Sequence, residues 1–143
     1  MQPSWVEPRV RRVAMSTPIT LLYGSLQMTI FCILSGRVML WRFMTRTGYG
    51  DREDQMARAM VRAHAYFAEY VPVILVCQLA MELCSLPAWE VHAVGATLFV
   101  GRLFHMWGMW GSTDVHIGRR IGAGLTFCAM GLVCILSGYE LWT

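Results

Sequence analysis

Arg58, Arg62, Tyr66 and Glu69 recur at intervals of three and four residues, which puts them near one face of a helix, with Tyr70 beside it. The segment runs without a break into the apolar stretch Val71 to Ala80, so Glu69 stands close to or inside a hydrophobic span. An ionisable group at membrane depth costs about 2.5–3.5 kcal/mol on insertion scales and marks a functional site by default. Arg102 and His105 stand at i, i+3 in a second apolar run. Arg119 and Arg120 open a third, and Arg42 closes a fourth. Several guanidiniums around one carboxylate make a pocket for an anionic, peptide-like or carboxylate-bearing ligand. The same residues also admit a purely structural arrangement. In that arrangement an internal Arg102–Glu69 pair locks two helices, and the remaining arginines sit on lipid headgroups.

The same residues admit two other chemistries. His64 and His105 fall at similar depth on two helices, as axial haem ligands would. A zinc site from His64, Glu69 and His105 is disfavoured, because the i, i+5 spacing of the first two splays them apart. No metal is therefore assigned. Five cysteines, at 32, 77, 84, 128 and 134, form an odd set with apolar neighbours and no C-x-x-C spacing. They read as small apolar packing residues rather than as a disulfide or zinc framework.

The elements that must position these groups follow from hydropathy. The 143 residues are 56% hydrophobic and 15% charged, with a mean hydropathy of +0.46, which suits a polytopic membrane protein better than a soluble domain. Residues 1–17 read as a polar arm carrying Arg9, Arg11 and Arg12, and residues 18–143 as one four-helix transmembrane domain. Val13 to Gly36 contains 24 uncharged residues, enough to cross about 30 Å of hydrocarbon. Helix one is predicted from Pro18 to Thr45, with Arg37, Trp41 and Arg42 at the interface. Helix two starts between Asp51 and Asp54, runs to Cys84 and carries Pro72, where a kink or local loosening is expected. Ser85 to Pro87 is a tight turn, and helix three spans Ala88 to Trp110. A loop from Ser112 to Gly118 precedes helix four, Ile121 to Tyr139. Gly118, Gly122, Gly124, Gly131 and Gly138 allow close helix approach. The fold class is an all-α integral membrane, four-helix up-down bundle, in which the ionisable positions above fall near one leaflet.

All twelve basic residues are arginine. They are interleaved with the spans rather than gathered on a soluble face, which argues against nucleic-acid binding. The first and third loops with their flanks hold Arg42, Arg46, Arg52, Arg58, Arg62, Arg119 and Arg120, while the second loop holds none. The positive-inside rule therefore places loops one and three in the cytoplasm, against the vote of the N-terminal arm.

The same residues carry a resemblance. R-A-H-A-Y-F-A-E-Y-V-P, Arg62 to Pro72, resembles the helix-two signature R-x-x-x-N-x-x-E-Y-x-P of the MAPEG family, the membrane-associated proteins in eicosanoid and glutathione metabolism. G-R-L-F-H-M-W-G, Gly101 to Gly108, is similar to the family's helix-three segment. G-R-R-I-G-A-G-L-T, Gly118 to Thr126, is similar to the opening of helix four in small bacterial members. The resemblance covers about Pro18 to Trp142. It implies a homotrimer in a bacterial inner membrane, with glutathione bound between subunits near the cytoplasmic face. It also implies that an arginine stabilises the glutathione thiolate for attack on hydrophobic electrophiles, as a transferase or peroxidase.

By that resemblance Arg62, Tyr66, Glu69 and Tyr70 fall at the helix-two glutathione contacts, and Arg102 and His105 at those of helix three. Arg42 matches a basic residue that reaches the peptide's carboxylate. The thiolate-stabilising arginine falls on Arg119 or Arg120 if the third loop is shifted, and on His116 if it is not. Tyr66 stands where the family has asparagine, and Met109 where eicosanoid-forming members have tyrosine. These departures keep open an alternative: a divergent, non-catalytic membrane subunit packed in a larger complex, to which eleven methionines lend adaptable contact surface.

Overall fold

A computed structural model describes residues 17–110 and 117–142. The expectations for the N-terminal arm and for His116 lie outside the described residues. The described residues form four helices: α1 (Pro18–Thr45), α2 (Gln55–Leu83), α3 (Ala88–Gly108) and α4 (Ile117–Trp142). α1, α2 and α4 are each long and apolar enough to cross a membrane. α3 has 21 residues, and Glu90, His92, Arg102 and His105 interrupt its apolar run.

Local chemistry sets most of the helix ends. Pro18 occupies the first turn of α1, where its missing N–H is not needed. Thr17 makes no side-chain cap; the orphan amides are satisfied from a distance instead. The Glu82 carboxylate, near the end of α2, accepts the Ile19 N–H at 2.8 Å and the Thr20 N–H at 2.7 Å. α1 stops with Arg46 in the left-handed region (φ 52°), with Arg46 N–H donating to the Phe43 carbonyl and Thr47 N–H to the Arg42 carbonyl. This is the Schellman arrangement, here without the usual glycine. Asp54 caps α2, its side chain accepting Met56 N–H at 2.8 Å. α2 continues unbroken through Pro72, where the expected loosening amounts to one helical donor missing from the Ala68 carbonyl.

Pairings along the helices fix their directions. Thr20 meets Glu82 and Ser35 meets His64, so α1 and α2 are antiparallel. Tyr66 meets Arg102 across α2 and α3. Arg102 meets Thr126 across α3 and α4. α1 and α3 run parallel: Tyr23 touches His92 at one end, and Arg37 donates to the Trp110 carbonyl at the other, its guanidinium 4.1 Å from the indole centroid. The buried core lies among α1, α2 and α3, where Ile30, Leu34, Phe67, Val71, Ile74, Val91, Val94 and Leu98 interlock. α4 adds Ala129 to that core and packs chiefly on α3.

The α3–α4 contact depends on glycine. A Cβ on Gly122 would lie 2.6 Å from the His105 Cβ and 2.7 Å from the Gly101 carbonyl oxygen. One on Gly108 would lie 2.8 Å from the Gly118 carbonyl carbon. A Cβ on Gly124, Gly131 or Gly138, also expected to serve close approach, would meet nothing within 4 Å among the described residues. The expected third loop is also shorter at its C-terminal side. Gly118, Arg119 and Arg120 belong to α4, because Gly118 packs on the Phe104 carbonyl and lets the helix begin against α3. Four of the five cysteines, Cys32, Cys84, Cys128 and Cys134, are exposed in the chain rather than packed in its interior, and Cys77 is half-buried.

Candidate functional site

One groove gathers six of the residues singled out from sequence. Tyr66 and Tyr70 come from α2, Arg102 and His105 from α3, and Arg119 and Arg120 from α4; Thr126 and Phe127 complete the wall. The groove encloses about 330 Å³. Among the described residues three arginines and a histidine line it, and no carboxylate does.

Arg102 anchors the groove from inside. It is 4% exposed, and its Nη2 donates to the Thr126 hydroxyl. That hydroxyl donates in turn to the Gly122 carbonyl at 2.8 Å. Nη1 reaches the Tyr66 carbonyl at 3.5 Å, the long limit for a hydrogen bond, and Nε has no protein partner. A buried guanidinium held by neutral acceptors keeps its positive charge uncompensated within the protein, so the groove favours an anion.

Tyr66 sits at the hinge of the site. Its ring meets His105 edge-on at 5.6 Å, lies 6.1 Å from the ring of Tyr70, and takes the Arg62 guanidinium over its face at 4.4 Å. The cation–π contact fixes Arg62 at the rim rather than inside. Arg119 belongs to two spaces. Besides the groove it borders a neighbouring cleft of about 420 Å³ with Gln55, Arg58, Arg62 and Met109. Arg58 itself is engaged: its Nε donates to Asp51 at 2.8 Å, which holds the Asp51 carboxyl below the usual carboxylate range.

Three of the residues expected here do not line the groove of the chain: Arg62 borders the neighbouring cleft instead, and Glu69 and Arg42 lie elsewhere. Glu69 is exposed on α2 and does not form the pair with Arg102 that the sequence allowed, because Arg102 turns towards α4. Arg42 lines a separate cleft at the end of α1. The two histidines weighed as haem ligands also face different surroundings. His64 bonds Ser35 at 3.1 Å and stacks on Phe31, between α1 and α2, whereas His105 faces the groove. Thr126 was missed from sequence. Its signal was the spacing of Arg119, Gly122 and Thr126, one face of α4 turned towards Arg102.

A helical membrane protein with a cationic groove between its second, third and fourth helices is the class these features define. The MAPEG family model matches residues 20–139, and the chain belongs to the MAPEG family. It is 31% identical over 124 residues to the inner membrane protein YecN of Escherichia coli K12, covering 87% of this chain and 91% of that one. YecN of E. coli O6:H1 matches to the same extent. No solved structure matches the chain. The protein is thus a multi-pass membrane protein, related to one of the bacterial inner membrane.

Proposed function

We propose that the protein is a glutathione-dependent transferase or peroxidase acting on hydrophobic electrophiles drawn from the bilayer. The observation that carries this reading is the groove itself: Arg102, Arg119, Arg120 and His105 converge in one wall, with no carboxylate among the described residues that line it. Such a set fits a small anionic co-substrate. Glutathione supplies a thiol of pKa about 8.5, and an adjacent cation shifts it towards the nucleophilic thiolate. Arg119 and Arg120 are the residues assigned to that cation, and Arg102, held by Thr126, fixes the positive field of the wall. Tyr66, Tyr70 and Arg62 shape the rim, and Glu69 stands next to it on α2. Arg42 lies outside the groove of its own chain and is assigned, across the subunit interface of a trimer, to the glutathione carboxylate.

All four helices cross the membrane in this account, with the arginine-bearing loops cytoplasmic. A homotrimer closes the open side of the groove. What supports a partner there is the outward face of α4, where Gly124, Gly131 and Gly138 have nothing within 4 Å, the kind of small-residue surface on which membrane helices pack.

The test is conjugation of an aryl halide by the purified protein. Arg119→Ala or Arg120→Ala is expected to lower kcat/KM by about a hundredfold or more, the range found when a preorganised electrostatic donor is removed. Full activity in both single variants removes the assigned role.

A second reading, a non-catalytic subunit of a larger membrane complex, is favoured by one observation. The Tyr66 ring occupies the space between Arg62 and His105 without offering an amide. A stable co-purifying partner together with no glutathione binding would establish it.

A further inference from the structure

Among the described residues, the buried polar side-chain atoms without a hydrogen-bond partner belong to five residues. Arg102 Nε is part of the groove and Arg42 Nε of the cleft at the end of α1. Thr20 Oγ1 sits on a residue whose amide already meets Glu82. The others are the oxygen and nitrogen of two glutamine amides, Gln27 on α1 and Gln78 on α2. Both stand in helices long and apolar enough to span a membrane, and both are interior: Gln27 is 1% exposed and Gln78 0%. Other polar groups along the seams of α1 have partners. Ser35 meets His64, Tyr23 meets His92, and Glu82 takes the Ile19 and Thr20 amides.

A primary amide carries donors at one end and an acceptor at the other, and burying it unpaired is costly. Thr20 with Glu82 and Ser35 with His64 fix the antiparallel register of α1 and α2. In that register Gln27 stands level with Ile74, and Gln78 lies one turn further towards Glu82, about 6 Å along the axis. A further polar group adjoins Gln27. Pro72 has no N–H, so the Ala68 carbonyl lacks its helical donor, and Gln27, Ala68 and Pro72 line one recess of about 290 Å³ with Phe31 and Phe67. α2 nevertheless runs through Pro72 unbroken. The chain itself walls both amides in, so a neighbouring subunit or a lipid does not reach them without moving a helix. A molecule the size of water, with donors and acceptors of its own, fits that need.

We propose that the α1–α2 seam binds ordered internal water: one molecule joins the Gln27 amide to the Ala68 carbonyl, and a second bridges Gln27 to Gln78. The first water takes the place of the helical donor that Pro72 removes, which is how a membrane helix carries a proline without breaking. The second spans a gap too long for a direct hydrogen bond between the two amides. Each water meets polar groups from two sides, as a buried water must. The site is independent of glutathione chemistry.

The chain has four glutamines and no asparagine, so the side-chain amide region of a nitrogen–proton correlation spectrum holds only Gln2, Gln27, Gln55 and Gln78. The test records cross-relaxation between water and those amide protons on the full-length protein in detergent micelles. Gln2→Ala and Gln55→Ala assign two of the signals and leave the buried two. Gln27 and Gln78 should both show cross-peaks to water, with the sign that marks a long-lived bound molecule. Tyr23→Phe removes an exchanging hydroxyl one turn from Gln27, and both signals should survive it. Pro72→Ala returns an N–H to the Ala68 carbonyl and should weaken the Gln27 signal about twofold, because the water then competes for one of its partners. The Gln78 signal should stay. No water cross-peak at either amide, cross-peaks between the two amides in its place, or contacts from either to detergent acyl chains would overturn the proposal. Loss of both signals in Tyr23→Phe would overturn it too, and an unchanged Gln27 signal in Pro72→Ala would overturn the bridge to Ala68. The wild-type spectrum decides without any core substitution, so a variant that fails to fold leaves the test standing.

Discussion

The Arg102 guanidinium on α3 donates to the Thr126 hydroxyl on α4, and Thr126 passes the chain on to the Gly122 carbonyl. This relay joins the deepest cation of the groove to the glycine that lets the two helices touch. Position of charge and closeness of packing are therefore one feature. A hydrogen bond to a charged group contributes about 1.5–3 kcal/mol. Thr126→Val should destabilise the folded protein by that order, because Arg102 stays buried with its acceptor gone. Thr126→Ser should restore most of the loss. Thermal unfolding in detergent, followed by circular dichroism, reads both.

The glycines of α4 divide into two kinds. Gly122→Ala places a methyl against the His105 backbone and Cβ, which have no room to yield. Overpacking of this kind costs about 1–3 kcal/mol, occasionally more, and here it pushes α4 off Arg102. Gly124→Ala meets nothing in the chain and should leave monomer stability unchanged. If Gly124→Ala instead alters the oligomer seen by gel filtration, the open face of α4 is a subunit contact. Paired measurements of unfolding temperature and oligomer mass separate the two effects.

Glu82 caps a helix to which it does not belong. Its carboxylate satisfies two orphan amides and complements the positive end of the α1 dipole. Glu82→Ala should cost about 1–2 kcal/mol, in line with losing a helix cap. Glu82→Gln should cost less, since an amide retains one acceptor. Hydrogen exchange at Ile19 and Thr20 should speed up in the alanine variant while the amides of α3 keep their protection.

Much of this was legible in the chain. The bounds of α1 and the start of α3 follow from proline placement and the length of the apolar runs. Six groove residues could be chosen because helical spacing and a shared leaflet bring them to one end of a bundle. What escaped was tertiary. Gly118 reads as loop and helix four as starting at Ile121, because glycine and paired charges normally end a span, whereas packing on Phe104 and Gly108 decides the start of α4. The Arg102–Glu69 pair was chemically reasonable but rotationally wrong. Arg102 turns to a threonine on α4, and no sequence rule ranks that hydroxyl above a carboxylate. Within one chain Arg42 lines a cleft separate from the groove, and helical periodicity does not say which subunit's groove it faces in an assembly. The Glu82 cap spans more than sixty residues and leaves no local signal.

Glutathione binding to the detergent-solubilised protein, measured by calorimetry with thiolate absorbance near ~240 nm followed in the same sample, tests the central claim most directly. Expected are micromolar to low-millimolar binding, a thiolate signal at neutral pH, and loss of that signal in Arg119→Ala or Arg120→Ala. Binding without thiolate would contradict the catalytic role given to those arginines. No binding at all would contradict the glutathione assignment and leave the cationic groove to another anion or to a partner subunit.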